Sequence, residues 1–70
     1  MKEMHYKGYY GSAHFDEKEL IFYGKVEFVR ALVSYEAKNL TELHKAFEKA
    51  VDDYLDTCVS QGIKPEVHSN

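Results

Sequence analysis

A single run of apolar residues at helical spacing, over residues 40–58, constrains the fold of this chain more than any other feature. Asn39 is a favoured N-cap residue, Glu42 follows three positions later, and Gly62 is a typical C-cap. Apolar residues at intervals of three and four lie on one side of a helix. The sequence therefore predicts an amphipathic helix over residues 40–61. Its apolar residues are Leu40, Leu43, Phe47, Ala50, Val51, Tyr54, Leu55 and Cys58.

Three runs rich in aromatic and β-branched residues precede the helix and predict strands at 6–15, 20–28 and 32–37. The connections between them are short, and consecutive strands joined by short loops form an antiparallel meander. The predicted fold class is therefore α+β: a three-stranded antiparallel meander followed by one long helix packed on one face. We expect a single domain over residues 1–70, in which the tail, 63–70, is a candidate for a short fourth strand.

The alternation of side chains along the predicted strands gives the two faces of the sheet different contents. The face under the helix is expected to carry Tyr9, Gly11, Ala13, Phe15, Phe22, Gly24, Val26 and Phe28. The other, open face is expected to carry Tyr6, Gly8, Tyr10, Ser12, His14, Ile21, Tyr23, Lys25 and Glu27. A small domain with an uncovered aromatic face is expected to associate with itself or with a partner. We therefore expect a homodimer or tetramer that associates through this face or through a sheet edge, with Tyr10 and Tyr23 as contact residues.

The charge of the chain bears on its choice of partner. Nine Lys and Arg against twelve Asp and Glu give a formal net charge of −3 and a pI of about 5.7. Nucleic-acid-binding domains usually carry a basic patch or a pI above about 9, so we expect neither DNA binding nor appreciable RNA binding. One alternative stays open: a small nucleic-acid-binding domain that stacks bases on Tyr6, Tyr10 and Tyr23, helped by Lys7 and Lys25.

Three further sequence features bear on the compartment. No apolar run approaches the roughly 20 residues that cross a bilayer, and the first ten residues lack the pattern of a signal peptide. Cys58 is the single cysteine and lies on the apolar stripe of the helix, which indicates a buried structural thiol in a reducing compartment. We expect a cytoplasmic protein with no membrane contact.

Four segments together resemble a known family. They are YKGYYGS at 6–12, FYGKV at 22–26, LVSYE at 32–36 and AVDDYL at 50–55. In order and spacing, from 6 to 65, the chain resembles the N-terminal domain of HicB-type antitoxins. The resemblance implies a partial ribonuclease-H-like fold and an antitoxin that binds and blocks HicA, a small basic toxin that cleaves messenger RNA.

Two departures from the family pattern limit what is carried over. Family members commonly continue into a DNA-binding segment, whereas this sequence ends at Asn70, so DNA binding and autoregulation are not expected of it. The family often has glycine where this chain has Ala37, so the turn after the third strand is expected to differ. A solitary protein-interaction module without a toxin partner is a further alternative.

No catalytic, cofactor or metal site is predicted, and we expect a protein that is not an enzyme. Ribonuclease-H-like catalysis needs carboxylates that converge on divalent metal, but the first predicted strand has none between residues 6 and 15. Asp52 and Asp53 are adjacent on the helix and point about 100° apart. The four histidines have no zinc-binding spacing; they are His5, His14, His44 and His68.

Two acidic patches are candidates for binding a basic toxin. Residues four apart align along a helix, so Glu48, Asp52 and Asp56 form one stripe, with Asp53 beside it. The second patch lies at the end of the second strand and along the third, and consists of Glu27, Arg30 and Glu36. Acidic side chains steer a basic partner chiefly through the association rate. The expected mechanism is occlusion, in which the antitoxin-like domain covers the RNA-cleaving surface of the toxin.

Overall fold

The computed structural model describes residues 3–29 and 32–64, which form five strands and one helix. In chain order these are β1 (Met4–Tyr6), β2 (Tyr9–Gly11), β3 (His14–Asp16), β4 (Ile21–Lys25), β5 (Ser34–Ala37) and α1 (Leu40–Gln61). Strands β3, β4 and β5 form a three-stranded antiparallel sheet in that order, and β1 pairs with β2 in a second, two-stranded sheet. The α+β fold class, with a three-stranded antiparallel sheet and one long helix, is confirmed.

Helix α1 begins and ends where the sequence predicts. The Asn39 side chain accepts a hydrogen bond from the Glu42 N–H at 2.8 Å, which satisfies one of the free donors of the first turn. At the other end Gly62 takes a left-handed conformation with φ 69°. The N–H groups of Gly62 and Ile63 then donate to the carbonyls of Val59 and Cys58, at 3.2 and 2.8 Å. This is the Schellman arrangement that ends many helices.

The predicted first strand, 6–15, is instead interrupted by a tight turn. Lys7 and Gly8 both have positive φ, at 52° and 84°, which is the signature of a type I′ hairpin turn. Tyr6 therefore faces Tyr9 across the hairpin, and β1 runs back along β2. Beyond the turn, the bridge between Gly11 and Val26 continues the register in which β3 pairs with β4. The chain from Gly11 to Asp16 thus runs antiparallel to the segment from Ile21 to Val26, as the predicted meander requires.

The second and third strands are shorter than predicted. Leu20 belongs to the turn before β4 and Phe28 lies beyond it, and both have positive φ, at 57° and 62°, which a strand does not accommodate. The connection before β4 is the expected short hairpin loop, in which the Asp16 carboxylate accepts hydrogen bonds from the Lys18 and Glu19 N–H groups.

Of the tail, residues 63 and 64 lie outside any strand. The predicted fourth strand otherwise falls outside the described residues.

The core lies between α1 and one face of the sheets. Its buried members come from both sides, and Cys58 is buried as predicted. They are Tyr9, Ala13, Val26, Tyr35, Leu43, Phe47 and Val51. Phe15 and Phe28 were expected under the helix but are 44% and 57% exposed. Phe15 pairs with Phe22, one residue pair before the end of the β3–β4 pairing, and so lies near the end of the sheet. Phe28 lies outside β4.

Candidate functional site

The face of the sheet turned away from α1 is the candidate site, and we call it the open face. Because side chains alternate along a strand, burial of Gly24 and Tyr35 on the helix side places their neighbours on the open face. Strand pairing arranges these neighbours in rows across β3, β4 and β5. One row is His14, Tyr23 and Glu36, and the next is Ser12, Lys25 and Ser34.

Aromatic rings are paired along the open face. The rings of His14 and Tyr23 are 5.3 Å apart, and Tyr23 is 43% exposed. Further along, His5 stacks on Tyr10 with ring centroids 4.8 Å apart, and Phe28 meets Tyr10 edge-on at 6.0 Å. Tyr10 is therefore half-buried by its own chain, whereas Tyr23 presents its ring to solvent. Of the two predicted oligomer contacts, Tyr23 is the more accessible.

Tyr6 was predicted on the open face, and the structure corrects this. The type I′ turn places Tyr6 directly across from Tyr9, and cross-strand partners lie on the same face. Tyr6 therefore packs against the core on the helix side, where its hydroxyl donates to Asp52 at 3.2 and 3.3 Å. A continuous strand from residue 6 would have placed it opposite, so the error follows from the missed turn.

The predicted acidic stripe on α1 is partly engaged within the chain. Lys7 Nζ lies 2.8 Å from Asp52 Oδ1. This hydrogen bond holds the pKa of Asp52 below its ordinary value, and the same contact raises the pKa of Lys7. Glu48 Oε2 lies 3.0 Å from His44 Nε2. Asp53 and Asp56 are exposed and make no ion pair with the described residues.

The second predicted patch is divided along the open face. Glu36 lies beside Tyr23 on the neighbouring strand. Glu27 lies at the other end, where its N–H donates to the Tyr10 carbonyl at 2.7 Å. Arg30 falls outside the described residues. The structure thus brings Tyr23 together with Glu36, and Tyr10 with Glu27, and it separates both pairs from the acids of α1, which belong to the opposite side of the sheet.

Two further acidic residues lie on this surface; the sequence indicated that they flank the tyrosine face but did not place them among the predicted partner-binding residues. Asp16 and Glu19 line a shallow hollow of about 520 Å³ together with Tyr23 and Glu36. The usable signal was the hairpin register, since pairing Asp16 with Ile21 places the loop acids next to the open face. We call Asp16, Glu19, Tyr23 and Glu36 the acidic rim site. An exposed ring surrounded by carboxylates has the anatomy of a protein-binding patch.

Over residues 3–29 and 32–64, no group of three or more His, Cys, Asp or Glu side chains is placed to hold a metal ion. Within the same ranges, no helix combines the length and the apolar character needed to span a membrane. Comparison with family models, with curated proteins and with solved structures found no match to this chain.

Proposed function

We propose that this chain is a non-enzymatic, antitoxin-like module that neutralises a HicA-type, mRNA-cleaving toxin by covering the toxin's RNA-binding surface. The sequence support is the resemblance to HicB-type antitoxins over 6–65. The structural observation that carries the proposal is the acidic rim site, where Tyr23 stands exposed among three carboxylates. Since the partner cleaves messenger RNA, the proposed place of action is the cytoplasm.

The chemistry of the acidic rim site suits a basic protein partner. A toxin that binds RNA needs lysine and arginine side chains on its binding surface, and the carboxylates of Asp16, Glu19 and Glu36 complement their charge. Rim charges act mainly on the association rate and are screened over about 8 Å at physiological ionic strength. The Tyr23 ring supplies the apolar contact, because exposed aromatic residues at the centre of an interface commonly carry much of the binding energy.

The test is surface plasmon resonance with a HicA-type toxin passed over the immobilised chain, which gives both the dissociation constant and the association rate. Tyr23→Ala is expected to weaken binding at least tenfold, since it removes the central anchor. Glu36→Gln is expected to slow association at low salt and to lose this effect at high salt. The matched control is Asp56→Asn on the far side of α1, which should bind like the wild type.

Two outcomes would contradict the proposal. If no toxin binds, the chain is a solitary interaction module. If Asp52→Asn and Asp56→Asn together change the association rate while Tyr23→Ala and Glu36→Gln do not, the helix stripe is the toxin-binding surface and the acidic rim site is ordinary surface.

A nucleic-acid-binding domain is the second candidate, and the paired rings of His14 and Tyr23 next to Lys25 favour it, because bases stack on such rings. Against it, Asp16, Glu27 and Glu36 repel phosphate, whose contacts supply most non-specific affinity. A gel shift with single-stranded RNA at physiological salt distinguishes the two. A complex that Tyr23→Ala abolishes would support this candidate, and its absence is expected under the antitoxin-like proposal.

A further inference from the structure

The outer edge of β5 offers unpaired backbone groups at strand spacing. The Val26 N–H donates to the Val33 carbonyl at 2.8 Å, so Val33 points its backbone groups at β4. Because these directions alternate in an antiparallel pair, Tyr35 also faces β4, while the N–H and C=O of Ser34 and Glu36 face outward. Among the described residues, β5 pairs with β4 alone. An edge of this kind is a template for another strand.

A groove lies on the helix side at the start of β5, where the chain enters the strand. It has a volume of about 450 Å³. Its walls are residues 32–34 on one side and Ala50, Asp53, Tyr54 and Thr57 of α1 on the other. The small side chains of Ala50 and Thr57 leave room beside β5. A strand added to β5 would direct alternate side chains into this space.

Asp53 gives the groove a charge preference. Its side chain is exposed, and no described residue forms an ion pair or side-chain hydrogen bond with it. A lysine or arginine of an incoming strand could extend along the groove and place its cation at this carboxylate. The chain's net charge of −3 also favours a positively charged partner.

We propose that the edge of β5 and the groove beside α1 form a strand-addition site for an extended segment of a partner protein that carries a basic side chain facing Asp53. The backbone of Ser34 and Glu36 supplies the hydrogen bonds, and Asp53 selects the side chain. Main-chain pairing gives affinity and side-chain pockets give specificity in this mode of recognition. The two sites share Glu36, whose side chain belongs to the acidic rim site and whose backbone belongs to the strand-addition site, but Tyr23 and Asp16 take no part in the latter.

The test uses a phage-displayed library of random peptides of about ten residues, enough for one strand, selected against the whole chain. Selected peptides are expected to alternate apolar and polar residues and to share a lysine or arginine. Ser34→Pro, which removes an outward N–H but none that pairs with β4, is expected to weaken their binding at least tenfold. Ser34→Ala, which keeps that N–H, should bind like the wild type.

A second variant keeps the test independent of folding. Asp53→Lys lies on the exposed side of α1 and should abolish selection for basic peptides without changing thermal unfolding. Tyr23→Ala should leave peptide binding intact, so failure here is distinguishable from failure of the toxin proposal. The inference is overturned if no peptide family is enriched, or if binding survives both Ser34→Pro and Asp53→Lys. It is also overturned if these variants turn a dimer into a monomer, because a second copy would then occupy the edge.

Discussion

At the residue scale, the hydroxyl of Tyr35 takes the place of a backbone hydrogen bond between Ser12 and Lys25. It donates to the Ser12 carbonyl at 2.8 Å and lies 3.2 Å from the Lys25 carbonyl, while the Lys25 N–H donates to Ser12 Oγ at 3.1 Å. Burial raises the pKa of Tyr35, and the nearby Glu27 charge adds to the effect. The Ser12 carbonyl therefore turns towards the core, where it lies against Gly24.

This arrangement requires glycine at position 24. A Cβ there would collide with the Ser12 backbone carbonyl, which cannot move without breaking the bond from Tyr35. Gly24→Ala is expected to lower the free energy of unfolding by about 3 kcal/mol. That is most of the roughly 3–5 kcal/mol that a core of this size supplies. Urea unfolding followed by circular dichroism measures the change.

Gly62→Ala is the matched control for Gly24→Ala. A Cβ at position 62 meets no atom within 4 Å, so only its positive φ of 69° is unfavourable. The expected loss is about 1 kcal/mol. If Gly62→Ala proved more damaging than Gly24→Ala, the inward Ser12 carbonyl would not be the constraint.

At the element scale, α1 was predictable and the β1–β2 hairpin was not. The helix has a long periodic pattern and a specific residue at each end, so local signals agree over 22 residues. The hairpin turn has only Lys7 and Gly8, without the Asn or Asp that usually marks a type I′ turn. Aromatic residues on both sides of it looked like one continuous alternating strand.

The candidate site divides in the same way. Tyr23 and Glu27 were assigned to the open face because alternation within one strand is a local property. The contact between Tyr23 and Glu36 depends on pairing between β4 and β5, and the contact of Asp52 with Lys7 depends on the missed hairpin. Neither contact can be predicted from the pattern of residues along a single strand or helix. The sequence therefore indicates which residues lie on the open face but not which of them come together.

The N-terminal cap of α1 yields a prediction at this scale. Asn39→Ala removes the oxygen that accepts the Glu42 N–H at 2.8 Å, and is expected to cost about 1 kcal/mol of stability. Asn39→Asp keeps that oxygen and adds a negative charge at the positive end of the helix dipole, so it should be at least as stable as the wild type. Thermal unfolding compares them, and equal losses in both variants would show that the cap is not stabilising.

The contact between Lys7 and Asp52 ties the β1–β2 hairpin to α1, and it should make stability depend on pH. The pKa of Asp52 is lowered chiefly by its hydrogen bond with Lys7. A lowered pKa adds stability above the ordinary value of 3.8, and this is lost as pH falls through the folded-state pKa. The pKa of Lys7 is raised above its ordinary value of 10.5. Its contribution to stability is therefore complete below pH 10.5 and is lost as the pH rises through the folded-state pKa.

The expected result is that Asp52→Asn unfolds at a lower temperature than the wild type at neutral pH, and that the difference vanishes in acid. Both side chains are about half exposed, at 52% and 45%, so added salt should also reduce the difference. Asp56→Asn, one helical turn further on, is the control and should match the wild type throughout. A difference between wild type and Asp52→Asn that stays constant with pH would assign the effect to packing instead of charge.

At the scale of the whole molecule, one helix covers only one side of the sheet. The described chain forms a body of 39 × 26 × 18 Å, and several large apolar side chains are exposed on it. A domain of this size gains stability when such a surface is buried by association. Tyr23 belongs both to the acidic rim site and to the expected contact between copies, so a toxin and a second copy would compete for it.

Self-association through the open face is therefore the prediction for the assembled molecule. Light scattering at high micromolar concentration should show a dimer or tetramer, and Tyr23→Ala should shift it to monomer with little loss of thermal stability. Tyr10→Ala should also weaken association but lower the unfolding temperature, since Tyr10 packs on His5 and Phe28.

Val59→Ser is the control, because Val59 is 78% exposed on the helix and should not affect association. Added HicA-type toxin should dissociate the oligomer, because both interfaces use the Tyr23 ring. A chain that remains monomeric at high micromolar concentration would contradict the prediction. An oligomer that persists in the toxin complex would place the contact between copies on a surface other than the open face.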